Sequence, residues 1–267
     1  MTGAGAEPLM CELCFRGVPT IDPAAVLAAV RSAGAEVDLV GTLDDGSSTL
    51  LAFPRLTHRF TDGKVVPLLA TVIGPTPTDP GSARPYDLSQ TWGWDEAGVV
   101  IAGTTHTLVV AELMGRVHLP AARLGAYRLV LEAVIDHTRP VGTWWPSSGT
   151  ALPPLLALER PLAGLVNVRL YQDSDRPGYS VMDTLGLHSF GLPDLQCHFR
   201  DLEHGRMASL MYATAEYLVN GAVIETGHTI QGFGSSSRWS VILTGSLVDP
   251  PRAVLDLNPG SPHAATS

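Results

Sequence analysis

The stretch MDTLGLHSFGLPDLQCHF, residues 182–199, sets two histidines, two aspartates, a glutamine and a cysteine among apolar residues. Histidine titrates near neutral pH and a nearby carboxylate can tune it, so His188, Asp194 and His198 are candidates for an acid–base cluster. Side chains alternate along a strand. In LQCHF, Gln196 and His198 therefore share one face, while Leu195, Cys197 and Phe199 share the other. The second face is apolar and belongs to a core; the first is polar and is either wet or lines a groove. A plainer reading competes. Gly191 supplies backbone freedom, Pro193 fixes φ, and Asp194 can accept hydrogen bonds from backbone amides of the turn. Catalysis, a binding groove and a structural corner all stay open on residue types alone.

Metal chemistry has one candidate. Cys11-x-x-Cys14 has zinc-knuckle spacing, and Cys197-His198 could complete a set of three thiolates and one imidazole. Residues three apart on a strand point to opposite faces, and no glycine or proline between the cysteines makes a knuckle. Buried core thiols and no metal are expected. Ser147 and Ser148 follow Trp144-Trp145-Pro146, but no G-x-S-x-G elbow supports a nucleophile. The sequence has no Walker A motif, no EF-hand loop and no glycine fingerprint opening a helix, so no cofactor is expected. Adjacent Trp144 and Trp145 on a strand must face opposite sides. One could be exposed beside the serines as a recognition surface, or lie under the loop PPLLALERPL. The binding candidates are Gln196, His198, Trp145 and Ser147, with His228 and Gln231 from the hairpin downstream.

Composition limits the partners. The chain of 267 residues is 45% hydrophobic and 16% charged, enough apolar material for one large or two modest domains. Its net charge is −9, Lys64 is the single lysine and the arginines are scattered, so no basic face is expected and no nucleic-acid partner. Low lysine with abundant Ala, Gly and Pro suggests a high-GC bacterial genome. Three cysteines describe no disulfide framework. No signal-like segment is expected at the start, and no apolar run reaches the roughly 20 residues that cross a bilayer. These features point to a cytoplasmic protein with no membrane partner.

The elements that must position these residues follow from periodicity. LMCELCFRG reads as a strand. DPAAVLAAVRSAGA reads as a helix capped by Asp22, with Pro23 at its first position and Gly34 at its end. VDLVGT and TLLAFP read as strands joined by LDDGSS, and KVVPLLATVIG as another with Pro67 at a bulge or edge. PTPTDPGSARP is the expected linker or long loop. LSQTWGWDEAGVVIAG reads as helix-like, HTLVVAELMG as a buried strand, and PAARLGAYRLVLEAVIDHT as a helix. LVNVRLYQ, YSVMDTLGL and LQCHF read as strands. HGRMASLMYATAEYLVNGA reads as a helix with Met207, Leu210, Met211, Ala215 and Leu218 inward, ended by Gly221. VIETGHTIQG and WSVILTGSL complete the sheet, and the ends of the chain read as disordered. The expected class is α+β, mainly antiparallel, with strand-helix-strand units at both ends. The expected regions are 1–80, 86–175 and 180–258.

The segment around Asp183-Thr184-Leu185-Gly186-Leu187, Gly191-Leu192-Pro193-Asp194-Leu195-Gln196 and His198-Phe199, continued by Thr229-Ile230 and Gly232, resembles the bacterial domain-of-unknown-function family 4261. The resemblance is strongest over 180–245. TWWPSSG and LVNVRLYQ also resemble blocks of longer members. The resemblance implies a fold and no reaction. In the hairpin TGHTIQG, His228 stands where an acid often sits. Two functional expectations follow. The first is a non-enzymatic binding or interaction protein, accessory or immunity-like, whose partner is another protein or a small molecule, with the oligomeric state unspecified. The second is a hydrolase-like enzyme using His198 or His188 with Asp194.

Overall fold

A computed structural model describes residues 7–42, 48–78 and 88–265. The turn expected over LDDGSS and most of the expected linker lie outside the described residues. The chain forms two compact units, over 7–165 and from 166 onward.

The N-terminal unit is one antiparallel sheet with helices. Its strands are β1 (Met10–Phe15), β2 (Asp38–Thr42), β3 (Ser48–Arg59), β4 (Val65–Pro77), β5 (His106–Leu113), β6 (Gly142–Trp145) and β7 (Thr150–Leu152), in the order β2-β3-β4-β5-β1-β6-β7. Its helices are α1 (Pro23–Ser32), α2 (Ala97–Ala102), α3 (Pro120–Thr138) and α4 (Pro154–Glu159). Asp22 caps α1, its carboxylate accepting from the amides of Ala24 and Ala25. The β3–β4 register shifts beside Pro67, as a residue without an N–H requires. Regions 1–80 and 86–175, read as separate, instead share this sheet up to Leu165, because β5 pairs between β4 and β1. Only the end of the expected helix before β5 is helical, and PPLLALERPL forms α4 rather than a loop, with Pro154 at its first position.

The C-terminal unit is a second α+β layer pair. Its strands are β8 (Asn167–Gln172), β9 (Ser180–Leu185), β10 (Asp194–Phe199), β11 (Thr229–Gln231), β12 (Arg238–Gly245) and β13 (Ala253–Asn258), in the order β11-β12-β13-β10-β9-β8. All neighbours are antiparallel except β10 and β13. Helix α5 (His204–Val219) is capped by Glu203, whose carboxylate accepts from the amides of Gly205 and Arg206 at 2.7 Å each. Those two bonds hold the Glu203 pKa below the usual carboxylate range. One face of the sheet carries buried Leu195, Cys197, Phe199, Trp239, Val241, Leu255 and Leu257. Helix α5 lies on that face, as the Phe199–His204 ring contact fixes, and buries Met207, Met211, Ala215 and Leu218. Residues beyond Pro259, read as a disordered tail, fold back so that Ala264 bridges Phe199. No helix among the described residues is long and apolar enough to cross a membrane.

Candidate functional site

The second face of the C-terminal sheet is polar. Strand register lines up Arg169, Asp183, Gln196 and Asp256 across β8, β9, β10 and β13. Arg169 holds Asp183 with a fork, Nε to Oδ1 at 3.0 Å and Nη2 to Oδ2 at 2.6 Å. Burial alone would lower the Arg169 pKa; the Asp183 carboxylate outweighs it and raises it. Arg252 enters from the β12–β13 loop. Its Nη2 donates to Asp183 Oδ2 and, at 2.8 Å, to Thr184 O, while its Nε donates to Asp194 Oδ2 at 3.0 Å. Its Nη1 closes the loop on Pro250 O at 2.8 Å. The other Asp194 oxygen accepts from the Leu187 amide at 3.0 Å and the Thr184 hydroxyl at 3.1 Å. Gln196 spans the same loop and the sheet, accepting from the Leu247 amide at 2.7 Å and donating to Asp256 at 3.2 Å. Asp183, Asp194 and Gln196 are all buried, so this network has the complete bonding that a buried polar network needs.

The sequence candidates sort against this frame. Asp194 sits at a corner and accepts from a backbone amide as expected, although the donor is Leu187, at the start of the 3₁₀ turn Leu187–Phe190. His188 is partly exposed, and its Nδ1 stands 3.8 Å from Asp194, beyond hydrogen-bond reach. His198 pairs with a different carboxylate. Its Nε2 lies 2.8 Å from Asp173 Oδ2, at an angle outside hydrogen-bond geometry, and its ring meets Tyr179 edge-on at 5.5 Å. The other Asp173 oxygen accepts from the amides of Asp175 and Arg176. Partial burial pushes the Asp173 pKa up; those amide bonds, and then His198, outweigh it and lower it. Burial pushes the Asp256 carboxyl up, against the bond from Gln196 and the charge of His198. The structure thus places His198, Gln196, Asp256 and Asp194 on one sheet face, and does not join His188, Asp194 and His198 into one triad.

The tryptophan surface is corrected. Both residues are buried because β6 lies between β1 and β7, covered on both faces. Trp144 packs with Cys14, Ala97, Ile101 and Ala151. Trp145 faces α3, edge-on to Tyr127 at 6.5 Å, with Nε1 donating to Thr143 Oγ1 at 2.9 Å. Ser147 is half-buried, its Oγ without a hydrogen-bond partner among the described residues. Ser148 donates to Gly164 O and is structural. Cys11 and Cys14 are buried thiols outside any disulfide, three apart on β1, so alternation sends them to opposite faces. Burial pushes the Cys11 and Cys197 thiols well up. Among the described residues no group of three His, Cys, Asp or Glu side chains could hold a metal.

His228 and Gln231 lie elsewhere, at the sheet's free edge. A groove of about 580 Å³ runs between α5 and β11, lined among others by Leu210, Tyr217, Val223, Ile224, His228 and Ile230. Tyr217 is 62% exposed and Val223 71%. Leu210, expected inside the core, is only half-buried and forms the groove floor. A second hollow of about 390 Å³ continues past Leu210 to Phe233 and Arg206, whose guanidinium lies 4.5 Å from the Phe233 ring centre.

The edge groove, the Arg252 clamp and strands β10–β13 lie between Asp183 and Asn258. Residues 183–258 match the family described as Domain of unknown function (DUF4261). The matched DUF4261 segment covers less than half of the chain and contains β10–β13, α5, the Arg252 clamp and the whole edge groove. Arg169, Asp173 and Tyr179 fall outside it. No curated protein and no solved structure matches the chain. Sequence reading missed Arg169, Asp173, Arg252 and Asp256 as members of the polar face. Arg252 carried no local signal, since its partners lie 58 and 69 positions away. Asp256 sits in AVLDLN, where Leu255 and Leu257 share one face and Asp256 and Asn258 the other, as in a strand.

Proposed function

We propose that this chain is a non-enzymatic binding or interaction protein, accessory or immunity-like, of a bacterial cytoplasm, and that its binding element is the α5–β11 groove. The observation that carries the reading is the set of exposed apolar side chains, Tyr217 and Val223, beside half-buried Leu210, Ile224 and Ile230, around a concave surface at a sheet edge. The polar face supports the same reading from the other side. Both oxygens of Asp194 and both of Asp183 are engaged by arginines, a hydroxyl or a backbone amide, which suits a scaffold. Three buried thiols outside any disulfide suit a reducing compartment. The partner is another protein or a small molecule; the net charge of −9 disfavours a nucleic acid.

A hydrolase-like reading rests on one observation, the Asp173 carboxylate fixed by two amides with its second oxygen against His198. That carboxylate would orient the imidazole of a general base once the pair closed to hydrogen-bond geometry. A thermal-shift screen of peptides and small molecules separates the two readings. The binding reading expects ligands that stabilise the wild type and lose that effect on Tyr217→Glu, with His198→Ala responding as wild type. Turnover of ester or amide substrates abolished by His198→Ala, with no ligand sensitive to Tyr217→Glu, would reverse the order.

A further inference from the structure

We infer that the groove takes an extended peptide segment of another protein as an added β-strand against β11, an inference that rests on the groove being the binding element. Among the described residues strand β11 ends the sheet, with β12 as its one strand neighbour. The bonds to β12 fall at alternate positions: the Val241 amide donates to His228 O at 3.0 Å, and the Gly232 amide to Ser237 O at 3.1 Å. Antiparallel alternation gives Ile230 to β12 as well. The backbone amide and carbonyl of Thr229 and of Gln231 therefore point away from the sheet, toward the open side of the groove. Such an edge is a template for another strand.

Side-chain direction specifies the occupant. Ile230 pairs with Trp239 on the α5 face, whereas Thr229 and Gln231 pair with Ser240 and Arg238 on the polar face. An added strand would alternate in the same way. Its inward side chains would meet Leu210, Tyr217 and Ile224, so they must be apolar; its outward ones would lie beside Thr229 and Gln231, so they must be polar. Strand β11, Thr229–Gln231, is three residues long, about 10 Å, so a peptide of about five to seven residues would cover it and extend past both ends. Charge sets the end. Arg206 lies over Phe233, and Arg238 Nη1 donates to the side-chain Oε1 of Gln231 at 2.6 Å. The Glu203 carboxylate nearby is taken up by two α5 amides. Arg206 on the α5 face and Arg238 on the polar face together exceed the anionic Glu203 by one charge at the end toward Phe233, and the fitting peptide carries Asp or Glu there.

Heptapeptides selected from a random displayed library on the full chain, then synthesised, test this. The expected peptides alternate apolar and polar residues and bear an acidic residue at one end. Tyr217→Glu should weaken their binding by more than tenfold. Thr229→Pro removes only the outward-facing amide and should weaken binding about tenfold, the value of one backbone bond to a partner strand. In the wild type, which needs no variant to fold, bound peptide should slow hydrogen exchange at Thr229 and Gln231 and leave Ile230 unchanged. Binding that Tyr217→Glu leaves intact would overturn the groove reading itself. Binding lost in Tyr217→Glu, yet unchanged in Thr229→Pro and without slowed exchange at Thr229 and Gln231, would keep the groove and overturn strand addition. A selection that enriches no peptide also overturns strand addition.

Discussion

Replacing Arg252 by Met removes a guanidinium and keeps most of its stem. The guanidinium is only 12% exposed and bridges two fully buried carboxylates while tying its own loop to Thr184, Val248 and Pro250. Asp183 would keep the Arg169 fork, and Asp194 would keep the Leu187 amide and the Thr184 hydroxyl. Neither carboxylate is left bare, so the loss should sit at the lower end of the roughly 3–5 kcal/mol for breaking a buried pair, about 3 kcal/mol. Arg252→Lys keeps the charge without the fork and should cost about half as much. The assay is urea unfolding read by hydrogen exchange, which resolves the two units separately. Protection should fall in β9, β10 and β13 and hold in β1, β4 and β5. A loss under about 0.5 kcal/mol, or one spread over both units, would refute the account of Arg252 as the clamp that closes the polar face.

Burial predicts that Met211→Ala costs about 2–5 kcal/mol, while Leu210→Ala on the groove floor costs about 1 kcal/mol; chemical denaturation of both variants checks the assigned helix face. Gly164 has φ +77 and rests against the Trp145 indole where a Cβ has no room. Gly164→Ala should therefore destabilise the N-terminal unit by about 2 kcal/mol or more, read from its melting transition. Burial raises the folded pKa of Asp256, so the folded state holds its proton to higher pH than the unfolded chain. That carboxylate therefore lowers stability as pH rises through the window above its ordinary value of 3.8. Asp256→Asn keeps an acceptor for Gln196 and should stabilise the protein at neutral pH, with the gain vanishing in acid where both are uncharged; a pH series of melting curves measures it.

Local signals carried most elements. Asp22, Pro23 and Gly34 bounded α1; Pro120 and Pro140 bracketed α3, in which Leu124, Tyr127, Leu131 and Val134 recur at helical spacing and are all buried. The split of LQCHF into a polar and an apolar face was also legible, because alternation is local. Strand β13 was missed: it inserts between β12 and β10 and runs parallel to β10, a non-local pairing that no neighbouring turn announces. Trp145 was misjudged for the same reason, since its cover comes from α3 and Gly164 rather than from adjacent residues. His198 was visible as a titratable group, but its partner Asp173 sits in a turn before β9 whose approach depends on the β8–β9–β10 order. The groove was hidden because Leu210 fits the inner helical face by spacing; only the shortness of β11 leaves it uncovered.

Methyl resonances of the full chain, labelled at isoleucine, leucine and valine and titrated with a selected heptapeptide, test the central claim most directly. Binding at the sheet edge predicts that Leu210, Ile224 and Ile230 shift together, while Val181, opposite His198 in the sheet, stays in place. Shifts centred on Val181 with the three groove residues unmoved would contradict the account and put the working site at His198 and Asp173.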